Sequence, residues 1–463
     1  MTPLNELSAA DLHDAFAKGR LSPVEVIRSV IARVEAWEPK IAATYLFAPE
    51  RALAQARGSE ARWRNGTPIG PLDGVPVTLK ENISTRGEPK PLGTAASDLI
   101  AQPDDAPPAA RLREAGAIMF AKTTMPDYGM LSSGLSSFHP LTRNPWNLER
   151  NPGGSSSGAA AAAAAGYGPL HVGTDIGGSI RLPAGWCGVF GLKPSAGRVP
   201  IDPPYYGRVA GPITRTARDA SLMMAVLSLP DARDYMSLKP EALDWAKYPA
   251  KLRGLRIGLL LEAGCGWKPE PQTRAAIERA ARDFEAAGAV VEPVAPFLTQ
   301  SSLDGLDKFW RLRSLIEIKA LAPERREKIL PFIRAWAESA DGLSGEAVFS
   351  GFSQMLEMHR LALAATEPFD FVLSPTAPIP AFAAELASPS DDPLDPFPHI
   401  GFTVAFNMSE QPAASIPCGF TKDGLPIGLQ IIGRRFDDVG VLSVAMAFEE
   451  LRAAEARPWP QPD

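Results

Sequence analysis

The sequence predicts an α/β fold, and three observations carry that prediction. A short apolar run follows a turn at Gly74-Val-Pro-Val-Thr-Leu-Lys80, which reads as a buried strand. Helix-like and strand-like segments then alternate, from Arg111–Ala117 into Ile118–Lys122 and again across 255–292, as an α/β chain requires. Finally, 45% of the 463 residues are hydrophobic and 22% charged, a globular composition that excludes a disordered or fibrous chain.

Taken in order, residues 1–45 read as a helical N-terminal segment. Ser22-Pro23 supplies an N-cap followed by proline at the first helical position, and Val24, Ile27, Val30, Ile31 and Val34 recur at helical spacing. After the strand at 74–80, Arg111–Ala117 ends a helix on glycine and Ile118–Lys122 forms the next strand. A second unit follows: strand Arg256–Leu261, amphipathic helix Glu270–Ala287 and strand Ala289–Glu292. Residues 300–365 carry helical patterns marked by Trp310, Leu312, Ile316, Phe332, Trp336, Phe349 and Phe352. Asp370–Ser374 and Leu425–Ile432 read as late strands, and the Pro/Asp-rich segment Ser388–His399 as an exposed loop. No fixed-period repeat and no Gly/Ser linker separates independent domains.

Composition narrows the function. With 47 Lys+Arg against 53 Asp+Glu the formal charge is −6, and the absence of a basic block argues against nucleic acid or an acidic membrane as partner. Cys187, Cys265 and Cys418 are far apart and odd in number, which excludes a disulfide scaffold or a Cys-based zinc site and fits a reducing compartment. Five scattered histidines form no HExxH. Residues 1–20 lack a secretory pattern, and the Ala-rich stretch Gly158–Leu170 falls short of the roughly 20 apolar residues that span a bilayer. A soluble, cytoplasmic protein without metal or organic cofactor is expected.

Two clusters of small polar residues stand out. Asn151-Pro-Gly-Gly-Ser-Ser-Ser-Gly158 runs directly into seven alanines; a linker would lead to a new domain, whereas an alanine run suits a helix packed inside a core. Gly173-Thr-Asp-Ile-Gly-Gly-Ser-Ile-Arg-Leu-Pro-Ala184 places a double glycine before a serine. Such a turn can aim successive N–H groups at one point, the geometry of an oxyanion hole. Gly154–Gly158 formally matches G-x-S-x-G, yet 143–150 does not form the strand that a nucleophile elbow needs. The other route activates serine with lysine. Lysine, with an ordinary pKa of about 10.4, serves as base only when burial lowers that value. Lys80 lies in the most apolar setting, with Lys122 and Lys193 as competitors.

Together these segments resemble the amidase signature family. The matching residues are Gly74–Ile83, Asn144-Pro-Trp-Asn, Pro152-Gly-Gly-Ser155-Ser156, Gly173–Ala184 and Gly188-Val-Phe-Gly-Leu-Lys-Pro194. Gly211-Pro-Ile-Thr-Arg and Asn407 to Gly433, with Gln411-Pro and Gly424–Gln430, continue the match in family order. The resemblance implies a single large α/β/α domain over residues 1–463, with a mixed central β-sheet covered by helices on both faces, a signature core at 70–200 and a variable helical, substrate-side region at 300–365. It implies a Ser–Ser–Lys triad: Ser179 as nucleophile, Ser155 as bridging serine after a cis peptide bond from Gly154, and Lys80 as terminal base. The N–H groups of Ile176, Gly177, Gly178 and Ser179 would form the oxyanion hole, with Ser156, Thr174, Asp175 and Arg181 supporting the network. For Asp175 and Arg181 a structural ion pair explains the residues at least as well.

Ser157 replaces a glycine of the family stretch and Ala159 a serine, neither in the triad. Tyr128, Met130, Trp186, Tyr205 and Tyr206 are candidate pocket walls, with core the better reading for Trp186. The expected activity is hydrolysis of the C–N bond of a small, fairly apolar amide, anilide or carbamate through an acyl-enzyme. The alternative is an amidase component of a larger assembly, either the glutamine-hydrolysing subunit of the tRNA-dependent amidotransferase or a biuret-pathway amidase. Family analogy is compatible with a homodimer; no cofactor or metal is implied.

Overall fold

The computed structural model describes residues 3–246, 249–455 and 457–462. Among them run strands β1 (Thr44–Tyr45), β2 (Pro76–Lys80), β3 (Ile118–Thr123), β4 (Leu170–Asp175), β5 (Phe190–Lys193) and β6 (Val209–Thr214). They are followed by β7 (Arg256–Leu259), β8 (Val290–Pro293), β9 (Phe371–Pro375), β10 (Ala413–Phe420) and β11 (Pro426–Gly433). All join one sheet in the order β1-β3-β2-β4-β6-β5-β10-β11-β9-β7-β8. It is mixed: β3, β2 and β4 are mutually parallel, as are β9, β7 and β8, while the strands between them pair antiparallel.

Every residue of β2, β3, β4, β5, β6, β9 and β11 is buried, because helices cover both faces of the sheet. Side chains alternate across a strand, and β3 shows the consequence. Ile118 and Phe120 pack with helices Pro23–Ile41 and Ser157–Ala165, whereas Met119 joins Val77, Leu79 and helices Pro107–Glu114 and Ala217–Leu227 on the other face. A third cluster gathers the helices of the 300–366 region against loops around 128–135 and 377–400.

The sequence elements reappear with shifts of a few residues. Helix Pro23–Ile41 opens on Ser22 in a capping box with Glu25. The alanine run is a helix, Ser157–Ala165, with all nine residues buried. In the second unit the helix is Pro271–Ala286 and its flanking strands are β7 and β8. Helices Gln300–Lys319, Pro323–Arg326, Pro331–Glu338 and Gly345–Thr366 fill the predicted helical region. One expectation fails in part: Ser388–His399 is not wholly exposed. Ser388 is buried, and the chain turns inward at Pro396 so that Phe397, Pro398 and His399 are buried too. Proline and aspartate favour a turn, but they do not say which end of it meets the core. Among the described residues no helix is long and apolar enough to cross a membrane.

Candidate active site

The parallel strands β2 and β4 end on the same edge of the sheet, the edge where open α/β sheets place their ligand crevices. Val77, Thr78 and Leu79 pair with Leu170, His171 and Val172. This register sets Lys80, at the end of β2, beside Gly173 and Thr174. Lys80 is fully buried. Its Nζ donates to Ser155 Oγ at 2.8 Å and to Thr174 Oγ1 at 3.0 Å, and Asn82 Nδ2 donates to the same Thr174 hydroxyl at 3.1 Å. Burial pushes the Lys80 ammonium well below its usual pKa, the positive charge of Arg208 adds to this, and Asp175 and Glu81 oppose it.

Among the described residues, the other two buried lysines separate cleanly from Lys80. Lys122 bonds the Ile83 carbonyl and Thr85 Oγ1, with its pKa lowered by burial to about 8. Lys193 donates to the Pro194 carbonyl at 2.9 Å and falls, again by burial, to about 7. Neither bonds a serine.

Ser155 follows a cis peptide bond from Gly154 and stands two residues before the helix Ser157–Ala165, whose N-cap is Ser156. Its neighbour Ser156 ties this segment to two others. The Ser156 hydroxyl exchanges hydrogen bonds with the Thr174 main chain (3.1 and 3.2 Å), and the Ser156 N–H donates to the Ser179 carbonyl at 3.1 Å. Ser179 stands in the turn between β4 and helix Arg181–Cys187, half-buried, and lines the same cavity as Ser155.

That turn is shaped by Asp175. Its carboxylate accepts from the N–H groups of Gly178 (2.8 Å) and Ile180 (3.0 Å), from Arg181 Nε (3.1 Å) and Nη2 (2.9 Å), and from Asn407 Nδ2 (2.8 Å). Burial alone would raise this carboxyl, but Arg181 and the converging N–H donors hold it well below the usual carboxylate range. Arg181 in turn reaches the Thr403 carbonyl, Gln430 and Asn407. Both members of the pair are fully buried and richly hydrogen-bonded, the condition under which a buried ion pair specifies a conformation. The Asp175–Arg181 pair is therefore structural. It also consumes one N–H of the four expected at the oxyanion hole: Gly178 donates to Asp175, whereas the N–H groups of Ile176, Gly177 and Ser179 have no acceptor among the described residues. Gly178 sits at φ +129°, and a Cβ there would lie 2.6 Å from Thr403 Oγ1, so the turn admits only glycine.

Above the serines opens a cavity of about 430 Å³, within the range of small-ligand sites. Met125, Tyr128, Met130 and Leu131 line it together with Trp310, Phe397 and Ile400, and with Pro203, Pro204 and Tyr205. Of the candidate wall residues, Tyr128, Met130 and Tyr205 reach this cavity. Trp186 does not: it is buried with Phe382 against its ring and donates to the Ile379 carbonyl. Tyr206 instead donates to the Met408 carbonyl and packs on Phe352. Sequence reasoning missed Lys90, Arg208 and Arg313, which bring three cations to the lining, as well as Asn82 and Phe397. Asn82 lies inside the Gly74–Ile83 motif; for the others no local pattern marks them, since the fold alone gathers them. Among the described residues no cluster of three or more His, Cys, Asp or Glu could hold a metal ion.

Known proteins share this sequence and this fold over nearly their whole length. The family model described as Amidase matches residues 25–442. The A subunit of the glutamyl-tRNA(Gln) amidotransferase of Myxococcus xanthus is 36% identical over 485 residues, covering 96% of this chain and 97% of its own. A bacterial aryl acylamidase of the amidase signature family superposes with TM-score 0.89 at 31% identity over 97% of both chains. The peptide amidase of Stenotrophomonas maltophilia does so at 0.83, with 28% identity over 99% of both.

Proposed function

This chain belongs to the amidase signature family and is a serine amidase acting on C–N bonds; from that premise we propose that it hydrolyses a small amide through an acyl-enzyme on Ser179, without a partner subunit. The observation that carries the reading is the buried Lys80 Nζ held 2.8 Å from Ser155 Oγ, on the cavity that Ser179 also lines. Lysine kept neutral by burial accepts the proton that Ser155 relays from Ser179 as the Ser179 oxygen attacks the carbonyl carbon. The carbonyl oxygen becomes an oxyanion facing the N–H groups of Ile176, Gly177 and Ser179. The proton returns to the leaving nitrogen as the C–N bond breaks, and water then cleaves the ester by the same relay, releasing the acid and freeing Ser179. The aromatic and aliphatic walls suit an anilide or another amide with an apolar portion.

A second reading rests on the full-length similarity to amidotransferase A subunits: a glutamine-hydrolysing component of a larger assembly. A fluorophosphonate and a panel of anilides and glutamine, each with the chain alone, decide between them. One adduct on Ser179, absent in Ser179→Ala, together with turnover of an anilide, is expected. Labelling elsewhere would sink the nucleophile assignment, and turnover confined to glutamine would favour the second reading.

A further inference from the structure

We infer that Arg208, with Lys90 and Arg313 beside it, receives a carboxylate on the substrate, so that the preferred amides are half-amides of short dicarboxylic acids rather than neutral amides or amino-acid amides. The inference deepens the amidase reading and rests on it for the identity of the reacting bond.

Strand register places the cation next to the nucleophile. β6 runs antiparallel to β4 with Val209 paired to Asp175. Arg208 therefore stands across from Ile176, next to the turn that carries Ser179, and it lines the cavity. A group bound there is separated from the acyl position by a short chain only.

The charges around it do not balance. The cavity lining holds three cations, Lys90, Arg208 and Arg313, and its carboxylates are already engaged: Asp175 with Arg181, Glu317 with Arg313 at 3.5 Å. Arg313 also lies over the Tyr205 ring at 4.8 Å. Lys90 has only the Ser84 hydroxyl, at 3.0 Å. The Arg208 guanidinium makes no hydrogen bond or ion pair with any described residue. Asp202, exposed, exerts a long-range attraction on Arg208 and Lys90 but pairs with neither. Two positive charges thus remain uncompensated in a largely apolar cavity. Burial and the like charge of Arg313 depress the pKa of Arg208, as expected of a cation awaiting a counter-ion.

A guanidinium offers two parallel N–H groups that match a carboxylate, and pairing offsets the unfavourable burial of the lone charge. An α-amino-acid amide would bring an ammonium group as well, for which the lining offers no unengaged carboxylate. The site thus favours a monoanion over a zwitterion.

The test uses the full chain and three p-nitroanilides: glutaric mono-anilide, valeric anilide with methyl in place of the carboxylate, and γ-glutamyl anilide, which adds only the ammonium. The expected kcat/KM for the glutaric compound exceeds that for the other two by about tenfold or more, and Arg208→Gln brings the glutaric/valeric ratio near one. Arg313→Gln lowers it less, which keeps the test alive should Arg208→Gln not fold. A wild-type ratio of one or below, a preference for the γ-glutamyl compound, or an undiminished ratio in Arg208→Gln overturns the proposal. Glutarate binding by calorimetry reads the site without chemistry. Saturable binding that Arg208→Gln abolishes upholds the carboxylate site even if no anilide is cleaved and the amidase reading falls; absence of binding to wild type overturns it.

Discussion

Lys80 and Arg208 show how a single charge tunes this site. Lys80 works as a base only while neutral, so activity is present above its folded pKa and is lost as the pH falls through it. Arg208, after burial, is the main influence lowering that pKa. Replacing Arg208 with Gln removes a positive charge, lets Lys80 hold its proton to higher pH, and should move the acid limb of the pH profile of kcat/KM upward, measured on a neutral anilide. Lys80→Met should remove the limb altogether and reduce kcat by about 10²–10⁴-fold, the usual contribution of general base catalysis; an unchanged acid limb in Arg208→Gln would show that another group controls it. At this scale the sequence is informative where chemistry is local. A lysine in an apolar strand and serines in glycine-rich turns announce themselves, and Lys80 does meet Ser155. Aromatic residues say little about direction: Trp186 lies in the core, the better of its two readings, whereas packing turns Tyr206, a pocket candidate, away from the cavity.

The helix Ser157–Ala165 explains why its sequence is almost all alanine. It is buried on every side between β2–β4, helix Pro23–Ile41 and helix Arg181–Cys187, so larger side chains have no room. At Gly158 the constraint is sharpest, since a Cβ would fall 2.2 Å from the Ala43 carbonyl oxygen and 2.5 Å from the Thr124 nitrogen. On propensity alone Gly158→Ala would stabilise a helix by about 1 kcal/mol. Here overpacking against rigid backbone, typically about 1–3 kcal/mol, outweighs that gain. Gly158→Ala should therefore lower the thermal midpoint, and because Ser155 lies just ahead of this helix, kcat should fall with it. A midpoint equal to or above wild type would contradict the packing argument. The alanine run itself is legible as a core helix; the neighbours that forbid a methyl group at 158 are not, because Ala43 and Thr124 arrive from distant segments.

Across the whole molecule, three helices far apart in sequence meet at two carboxyls, Asp219 buried and Glu449 half-buried. Asp219 accepts from the Ala9 N–H at 2.8 Å, and Glu449 accepts from the Ala217 N–H at 2.9 Å. Burial raises Asp219 to about 7 and Glu449 to about 8; their hydrogen-bond donors oppose the shift, while the negative charge of Asp11 adds to it at Asp219 and those of Asp219 and Glu450 add to it at Glu449. A carboxyl whose folded pKa exceeds its unfolded value stabilises the fold fully below the unfolded value, and that stability is lost as the pH rises through the folded one. The thermal midpoint should decline between roughly pH 4, the ordinary carboxyl value, and pH 8. Glu449→Gln keeps an oxygen for the Ala217 N–H and should flatten the upper part of that decline. A midpoint equally steep in the variant would remove Glu449 from the account.

The sequence by itself determined the α/β class, the order of most elements and the local turns that present Lys80, Ser155 and Ser179, because hydrophobic period, capping residues and glycine placement act over a few residues. Tertiary structure alone decided what stands around those three groups. The pairing of β6 with β4 brings Arg208 beside Ile176, the helix Gln300–Lys319 delivers Trp310 and Arg313, and the inward turn near Pro396 delivers Phe397. Asn407 and Gln430 reach back to Asp175 and Arg181 across more than 200 residues. Such contacts depend on sheet register and helix packing summed over the whole core, and no window of sequence short enough to read contains that sum.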